Sequence, residues 1–137
     1  MEASQPRAEN EPGAPPLRAL TLLEDDEVDA YMVGRALMRI EAGCVLERHS
    51  TLRGFRRALR EHCPEIALVD RNLPDGSGID AIRDLRESCP SARIYLFTSL
   101  DETDELDRAI AAGADGAFTK PANGHEFAAL VLSLMRG

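Results

Sequence analysis

The sequence is poor in basic residues relative to acidic ones, and it contains no long apolar run. Its 137 residues include 16 Lys and Arg against 24 Asp and Glu, which gives a formal net charge of −8 at pH 7. General electrostatic attraction to nucleic acid or to an anionic membrane needs clustered Lys and Arg, so we expect no direct binding to nucleic acid. No apolar run reaches the length of a membrane-spanning helix and no signal peptide opens the chain, so we expect no membrane association.

Cysteine and histidine are also scarce, with three residues of each. The cysteines are odd in number and have no CxxC spacing, which predicts reduced residues of the core or the surface; they are Cys44, Cys63 and Cys89. Reduced cysteines are typical of a cytoplasmic protein. No two histidines have the spacing of metal ligands, so we expect no zinc site.

The chain is long enough for one domain with a single core, and its apolar fraction of 44% is ordinary for a globular protein. Residues 1–17 contain four of the eight prolines and almost no large apolar side chains. Such a segment cannot bury enough surface to offset the entropy cost of ordering it. We therefore expect a flexible leader over residues 1–17 and one folded domain over residues 18–137.

Within that domain, apolar runs typical of buried strands alternate with helical periodicity. The strand patterns are residues 19–24, 44–49, 65–70, 93–98 and 116–120, and the helix patterns are residues 28–42, 51–62, 78–88, 102–112 and 124–136. We expect Ser50 to cap the second helix and Gly113 to end the fourth. Five βα units with short connections predict a parallel sheet covered by helices on both faces.

Polar side chains follow these predicted strands at the point where each strand ends. They are Glu24-Asp25-Asp26, Asp70, Thr98-Ser99 and Lys120-Pro121. Taken singly, each has an ordinary explanation as a turn, a helix cap or a surface residue. In an open α/β sheet, however, ligands bind outside the carboxyl ends of the strands. Their joint position at one edge therefore predicts a shared site.

Such a group of side chains permits a specific chemistry. Neighbouring carboxylates raise one another's pKa unless a cation neutralises them, and oxygen ligands suit Mg²⁺ or Mn²⁺. One carboxylate oxygen would stay free to attack phosphorus, while an ammonium and a hydroxyl bind phosphoryl oxygens. Phosphoryl transfer depends mainly on such positioning and charge neutralisation. The pattern therefore favours formation of an acyl phosphate on an aspartate.

Four motifs make the chain resemble the receiver domain of two-component response regulators over about residues 18–136. They are LLEDDE (22–27), ALVDRNLPDGSG (67–78), LFTS (96–99) and GADGAFTKP (113–121), and they occur in the order of the family. The spacing is 45 residues from Asp25 to Asp70, 28 from Asp70 to Thr98 and 22 from Thr98 to Lys120. The resemblance implies a flavodoxin-like (βα)5 fold, a doubly wound parallel sheet with strand order 2-1-3-4-5.

The resemblance also implies roles for individual residues at the metal site. Asp70 is the expected phosphoacceptor and a ligand of Mg²⁺ (or Mn²⁺). Asp25 is expected to bind the metal directly, Glu24 through water, and Asn72 through its backbone carbonyl. Asp26 stays open as the alternative to Asp25.

Further implied roles concern the phosphoryl group and the signal. Thr98 is expected to donate a hydrogen bond to the phosphoryl group and Lys120 to pair with it, with a cis peptide between Lys120 and Pro121. The family usually has Tyr or Phe three residues before this lysine, where the sequence has Ala117. Because Phe118 should point to the opposite face of its strand, a ring-rotation switch is not expected. Movement of residues 99–104, or another surface, would then carry the signal.

The implied function is phosphorylation of Asp70 by a phosphohistidine on a sensor histidine kinase or a phosphotransfer protein, followed by a conformational signal. Such a domain promotes its own phosphorylation and hydrolysis but turns over no separate substrate. The downstream target and the pairing of two copies are left open. The alternative is an aspartate-nucleophile, Mg²⁺-dependent phosphatase, but the acid it needs two residues after the nucleophile is replaced by Asn72. A flavin carrier would need a phosphate-binding loop after the first strand, where this chain has carboxylates.

Overall fold

The computed structural model describes residues 18–40, 44–98, 103–121 and 123–136, so the predicted leader lies outside the described residues. The chain forms seven strands and five helices in that part. In chain order these are β1 (Arg18–Leu23), α1 (Glu27–Ile40), β2 (Cys44–His49), α2 (Leu52–Leu59), β3 (Ile66–Asp70), β4 (Asn72–Leu73), β5 (Gly76–Ser77), α3 (Gly78–Ser88), β6 (Arg93–Thr98), α4 (Thr103–Ala112), β7 (Gly116–Thr119) and α5 (Gly124–Arg136).

Five of the strands form one parallel sheet in the order β2-β1-β3-β6-β7. This is the predicted 2-1-3-4-5 order, since β4 and β5 form a separate two-stranded hairpin in the turn that follows β3. The predicted flavodoxin-like fold is therefore confirmed.

Apolar layers cover both faces of this sheet. One layer packs against α1 and α5 and the other against α2, α3 and α4. Alternate residues of the central strand β3 enter opposite layers: Ile66 and Leu68 enter the first, and Ala67 and Val69 the second. Because both faces of β3 are buried, its sequence is continuously apolar instead of alternating.

The strand register brings the carboxyl ends of the strands to one level. Leu23 lies beside Val69, so the residue after β1 is level with Asp70. Asp70 itself lies beside Phe97, and Thr98 lies beside Thr119. The residues that follow these positions therefore meet at one edge of the sheet.

The structure corrects the prediction of three reduced cysteines. Cys63 and Cys89 form a disulfide, with their Cα atoms 5.7 Å apart although 26 residues separate them in sequence. The pair joins the α2–β3 connection to the end of α3, at the edge opposite to Asp70. An odd cysteine count without a CxxC motif gives no sign of such a pair, because the proximity is created by the fold.

The second helix is also shorter than predicted. Its N-cap is Thr51 and not Ser50: the Thr51 side chain accepts a hydrogen bond from the Gly54 amide at 3.0 Å. The helix ends at Leu59, where the Arg60 amide donates to the Arg57 carbonyl in a tighter turn. None of the helices in the described ranges has the length and apolarity needed to cross a membrane.

Candidate functional site

Three carboxylates meet at the carboxyl edge of the sheet. Glu24, Asp25 and Asp70 each offer an oxygen atom within 4.8 Å of the others. Glu24 is buried, with 1% of its surface exposed, whereas Asp25 is exposed. The backbone of Glu24 is held on both sides, because its amide donates to the His49 carbonyl and its carbonyl accepts from Arg48 Nε. The edge therefore presents a fixed, oxygen-rich cluster.

Asp26 lies beside this cluster but performs a different task. Its Oδ1 accepts hydrogen bonds from the Val28 and Asp29 amides at 2.9 and 3.0 Å, which caps the start of α1. The three clustered carboxylates do not include it. The geometry therefore favours Glu24 and Asp25 as the acidic pair.

Lys120, the one lysine in the sequence, enters the cluster from the end of β7. Its amide donates to the Thr98 carbonyl at 2.6 Å. Its Nζ lies 2.7 Å from Glu24 Oε1, 2.9 Å from Asp29 Oδ2 and 3.9 Å from Asp70 Oδ2. The ammonium is thus hydrogen-bonded to Glu24 and Asp29, and it is farther from Asp70. The sequence gives no sign of this contact of Asp29, since a carboxylate in the first turn of a helix is usually explained by the helix dipole.

This cluster contains more carboxylates than cations. Burial raises the pKa of Glu24 to about 7; Lys120 opposes that shift and the nearby Asp70 adds to it. Burial also raises the pKa of Asp70, against the attraction of Lys120. Burial alone would lower the pKa of Lys120, but the hydrogen bonds with Glu24 and Asp29 raise it. One ammonium does not neutralise these carboxylates, so their oxygen atoms fit a hard divalent cation.

The other predicted site residues surround Asp70. The Asn72 amide donates to the Asp70 carboxylate, which favours its charged form. The Asn72 side chain accepts from Arg71 Nη1 at 2.9 Å. Thr98 is buried at the end of β6, 7% exposed, directly beside the β3 end.

The predicted cis peptide between Lys120 and Pro121 is wrong. No cis peptide occurs in the described part of the chain, which includes both residues. The trans form is favoured even before proline, by about 0.5–1 kcal/mol. In this form Lys120 already reaches the Thr98 carbonyl and Glu24, so the observed contacts are made without the cis isomer.

Ala117 and Phe118 lie on opposite faces of β7, as their alternation predicts. Ala117 packs against the layer on the α2–α4 side, and Phe118 against the layer on the α1–α5 side. The Phe118 ring lies 5.8 Å from the Phe97 ring, so its role is packing. Residues 99–102, which begin the segment named as an alternative output, lie outside the described residues.

A second ion pair next to Asp70 was not predicted. Arg71 follows Asp70 in the sequence, and its Nε and Nη2 lie 2.7 and 2.9 Å from the two carboxylate oxygens of Glu105. Glu105 is buried in the first turn of α4, with 2% exposed. The sequence contains no sign of the pair, because an acidic residue in a first helical turn is usually solvated. The pair connects the turn after β3 to α4.

The comparison with known families identifies the chain. The response regulator receiver domain matches residues 21–132, so the chain belongs to this family. It is 35% identical over 117 residues to the transcriptional regulatory protein KdpE of Mycobacterium tuberculosis, covering 85% of this chain and 51% of that protein. It is 31% identical over 109 residues to the photosynthetic apparatus regulatory protein RegA of Cereibacter sphaeroides, covering 80% of this chain and 58% of that one. The chain therefore spans little more than half the length of these relatives.

Solved structures agree with this assignment. A response regulator protein from Burkholderia pseudomallei, solved with a phosphorylated aspartic acid, a calcium ion and citrate, superimposes with a TM-score of 0.71 at 25% identity. The alignment covers 86% of this chain and 72% of that chain. The chain is thus a receiver domain homologous to two-component response regulators, and its acidic cluster occupies the carboxyl edge of the receiver fold.

Proposed function

We propose that the chain receives a phosphoryl group on Asp70 from a phosphohistidine of a sensor histidine kinase or a phosphotransfer protein. The observation that carries the proposal is the convergence of Glu24, Asp25, Asp70 and Lys120 at one edge of the sheet. Family membership supports the class of reaction, and the geometry supports the choice of Asp70. Asp70 ends the buried central strand, so its backbone is held in place at this edge.

In the proposed transfer, an Asp70 carboxylate oxygen attacks phosphorus as the bond from phosphorus to the donor nitrogen breaks. The donor imidazole leaves with the electron pair of that bond. The phosphoryl group then carries additional negative charge next to Asp70. Lys120 would pair with one phosphoryl oxygen, and the Thr98 hydroxyl would donate to another. Thr98 ends β6 and Lys120 follows β7, so both lie at this edge of the sheet.

The proposed cofactor is Mg²⁺ or Mn²⁺. Glu24, Asp25, Asp70 and the backbone carbonyl of Asn72 would hold it, with Asp26 left to cap α1. When bound, a divalent cation neutralises charge on the carboxylates and on the phosphoryl oxygens. Burial, with a smaller contribution from neighbouring carboxylates, raises the pKa of Glu24 and Asp70, so a bound cation would favour their charged forms.

The proposed activity is limited to self-catalysed phosphorylation and hydrolysis, with no separate substrate turned over. We propose that transfer takes place in the cytoplasm and that phosphorylation changes a surface recognised by a downstream protein. With Ala117 in place of an aromatic ring, that change does not use ring rotation at this position. The Arg71–Glu105 pair offers a contact between the turn after Asp70 and α4 through which it could pass.

The test is incubation with Mg²⁺ and acetyl phosphate followed by intact-mass measurement. We expect one phosphate adduct on the wild-type chain and none on Asp70→Asn. Asp104→Asn is the matched control, because it removes an exposed carboxylate in α4 and should keep the adduct. Failure of the wild type to form an adduct, with the metal bound, would contradict the proposed function.

A further inference from the structure

The Lys120 ammonium lies closer to two other carboxylates than to Asp70. The Lys120 ammonium lies 2.7 Å from Glu24 Oε1 and 2.9 Å from Asp29 Oδ2, but 3.9 Å from Asp70 Oδ2. Only the first two distances are those of hydrogen bonds. The cation that should pair with a phosphoryl group on Asp70 is therefore held by Glu24, which follows β1, and by Asp29, a carboxylate of α1.

Asp29 is fixed in this position by the start of its helix. Its amide donates to the Asp26 side chain at 3.0 Å, and its own side chain is 21% exposed. The Lys120 side chain is 12% exposed and also lies over the Phe127 ring, with Nζ 5.4 Å from the ring centre. A charge-assisted hydrogen bond between two partly buried groups is stronger than an ion pair on an open surface.

The arrival of a phosphoryl group changes the balance among these acceptors. An ammonium has three N–H donors, and Glu24 and Asp29 accept hydrogen bonds from it in the present structure. A phosphoryl group adds negative charge and further acceptor oxygens at Asp70. A close ion pair with this group requires the ammonium, now 3.9 Å from Asp70 Oδ2, to shift toward Asp70, and Asp29 attracts the same ammonium.

We propose that Asp29 is a positioning residue that holds Lys120 in the unphosphorylated site and competes with the phosphoryl group on Asp70 for its ammonium. The inference rests on the proposed function of Asp70. It assigns to α1 a direct influence on how readily the phosphorylated state forms. Removing the Asp29 carboxylate should therefore favour the phosphorylated arrangement.

The first test measures binding of beryllofluoride, a mimic of the phosphoryl group, in the presence of Mg²⁺. We expect Asp29→Asn to bind it about threefold to tenfold more tightly than the wild type, because the competing acceptor is gone. Asp29→Glu keeps a carboxylate and should stay near the wild-type value. Glu27→Gln is the matched control, since it removes the other acidic side chain from the same helical turn, where it is exposed.

The second test observes Lys120 directly and needs no metal. Lys120 is the one lysine in the chain, so its side-chain ammonium gives a single assignable ¹⁵N signal. Hydrogen bonding should slow its proton exchange and make that signal visible in the wild type and in Glu27→Gln. In Asp29→Asn the signal should broaden or shift, and Asp29→Glu should restore it.

The outcomes separate this inference from the proposed function. Equal beryllofluoride affinity in Asp29→Asn and Glu27→Gln would overturn the proposed competition. Weaker binding by Asp29→Asn would overturn it too, because Asp29 would then stabilise the phosphorylated state. An unchanged ammonium signal in Asp29→Asn would show that the resting contact is absent. A wild type that binds no beryllofluoride would contradict the proposed function of Asp70 as well.

Discussion

Glu24 and Glu105 are two buried glutamates on either side of Asp70, and they face opposite charge balances. Their side chains are 1% and 3% exposed, and each pairs with a cation at 2.7 Å. Glu24 shares Lys120 with Asp29 and the more distant Asp70, whereas Glu105 receives both Arg71 and Arg108. One cluster has more carboxylates than cations, and the other has more cations than carboxylates.

The pKa values of the two glutamates shift in opposite directions. Burial and the Asp70 charge raise the pKa of Glu24 to about 7, against the effect of Lys120. Hydrogen bonds from Arg71 lower the pKa of Glu105. The Glu105 cluster is complete within the chain and can stabilise the fold. The Glu24 cluster lacks positive charge, which is the property expected of a site that binds a metal ion.

The largest effect should come from removing carboxylates of the Glu24 cluster. We expect Asp25→Asn, and to a lesser degree Glu24→Gln, to weaken Mg²⁺ binding by about tenfold to a hundredfold. Glu105→Gln, which changes a glutamate of similar burial, should leave the affinity within about twofold of the wild type. Isothermal titration calorimetry measures all three. Similar losses in all three variants would remove the distinction between the clusters.

Glu105→Gln should have a larger effect than Glu24→Gln when the free energy of unfolding is measured without metal. Glu105→Gln should lower the free energy of unfolding by about 1–3 kcal/mol, because it removes the charge of a buried carboxylate that accepts a charge-assisted hydrogen bond from Arg71. Glu24→Gln should cost less, or increase stability, since it removes one of several crowded carboxylates. Urea unfolding followed by circular dichroism gives both values. A greater loss in Glu24→Gln than in Glu105→Gln would contradict the assignment.

The contribution of the Arg71–Glu105 pair to the free energy of unfolding should decrease at acidic pH. Because Arg71 lowers the pKa of Glu105 below its ordinary value of 4.5, the folded chain stabilises the charged form. The added stability is present above about pH 4.5, where the unfolded chain is also deprotonated, and is lost as pH falls through the lower folded pKa. The difference in unfolding free energy between wild type and Glu105→Gln should therefore shrink at acidic pH. A difference that grows on acidification would show that the pair does not stabilise the charged glutamate.

The smallest effect is expected at Asp26. Asparagine caps helices about as well as aspartate, so Asp26→Asn should change stability by only a few tenths of a kcal/mol. Its Mg²⁺ affinity should stay close to that of the wild type in the same titration. A loss as large as that of Asp25→Asn would show that Asp26 belongs to the metal-binding pair.

Most of the fold could be predicted from the sequence, because it depends on periodicity that local residues carry. Strands buried on both faces are continuously apolar, and the bounds of α3 and α5 agree with the predicted helices. Gly113, predicted to end the fourth helix, has a positive φ of 120°, which glycine adopts at low cost. The predicted cap of α2 was wrong by one residue, since Ser50 and Thr51 are adjacent residues that can both cap a helix.

The site residues whose positions depend on the backbone topology could be predicted from the sequence. The contacts that depend on side-chain conformation could not. Parallel strands bring Glu24, Asp70 and Lys120 to one edge whatever their rotamers. The contacts of Asp29 with Lys120, and of Glu105 with Arg71, depend on which way long side chains turn between elements. The Cys63–Cys89 disulfide has the same origin, since only the folded chain brings the two residues together.

The most direct test is to locate the phosphoryl group by borohydride trapping after incubation with Mg²⁺ and acetyl phosphate. Borohydride reduces an acyl phosphate to a hydroxymethyl group. After reduction of the Cys63–Cys89 disulfide, trypsin releases residues 61–71, in which Asp70 is the one aspartate. We predict that the corresponding mass loss maps to Asp70 and is absent without the phosphate donor. A modification at another carboxylate, or no modified peptide from a phosphorylated sample, would contradict the assignment of Asp70 as the phosphoacceptor.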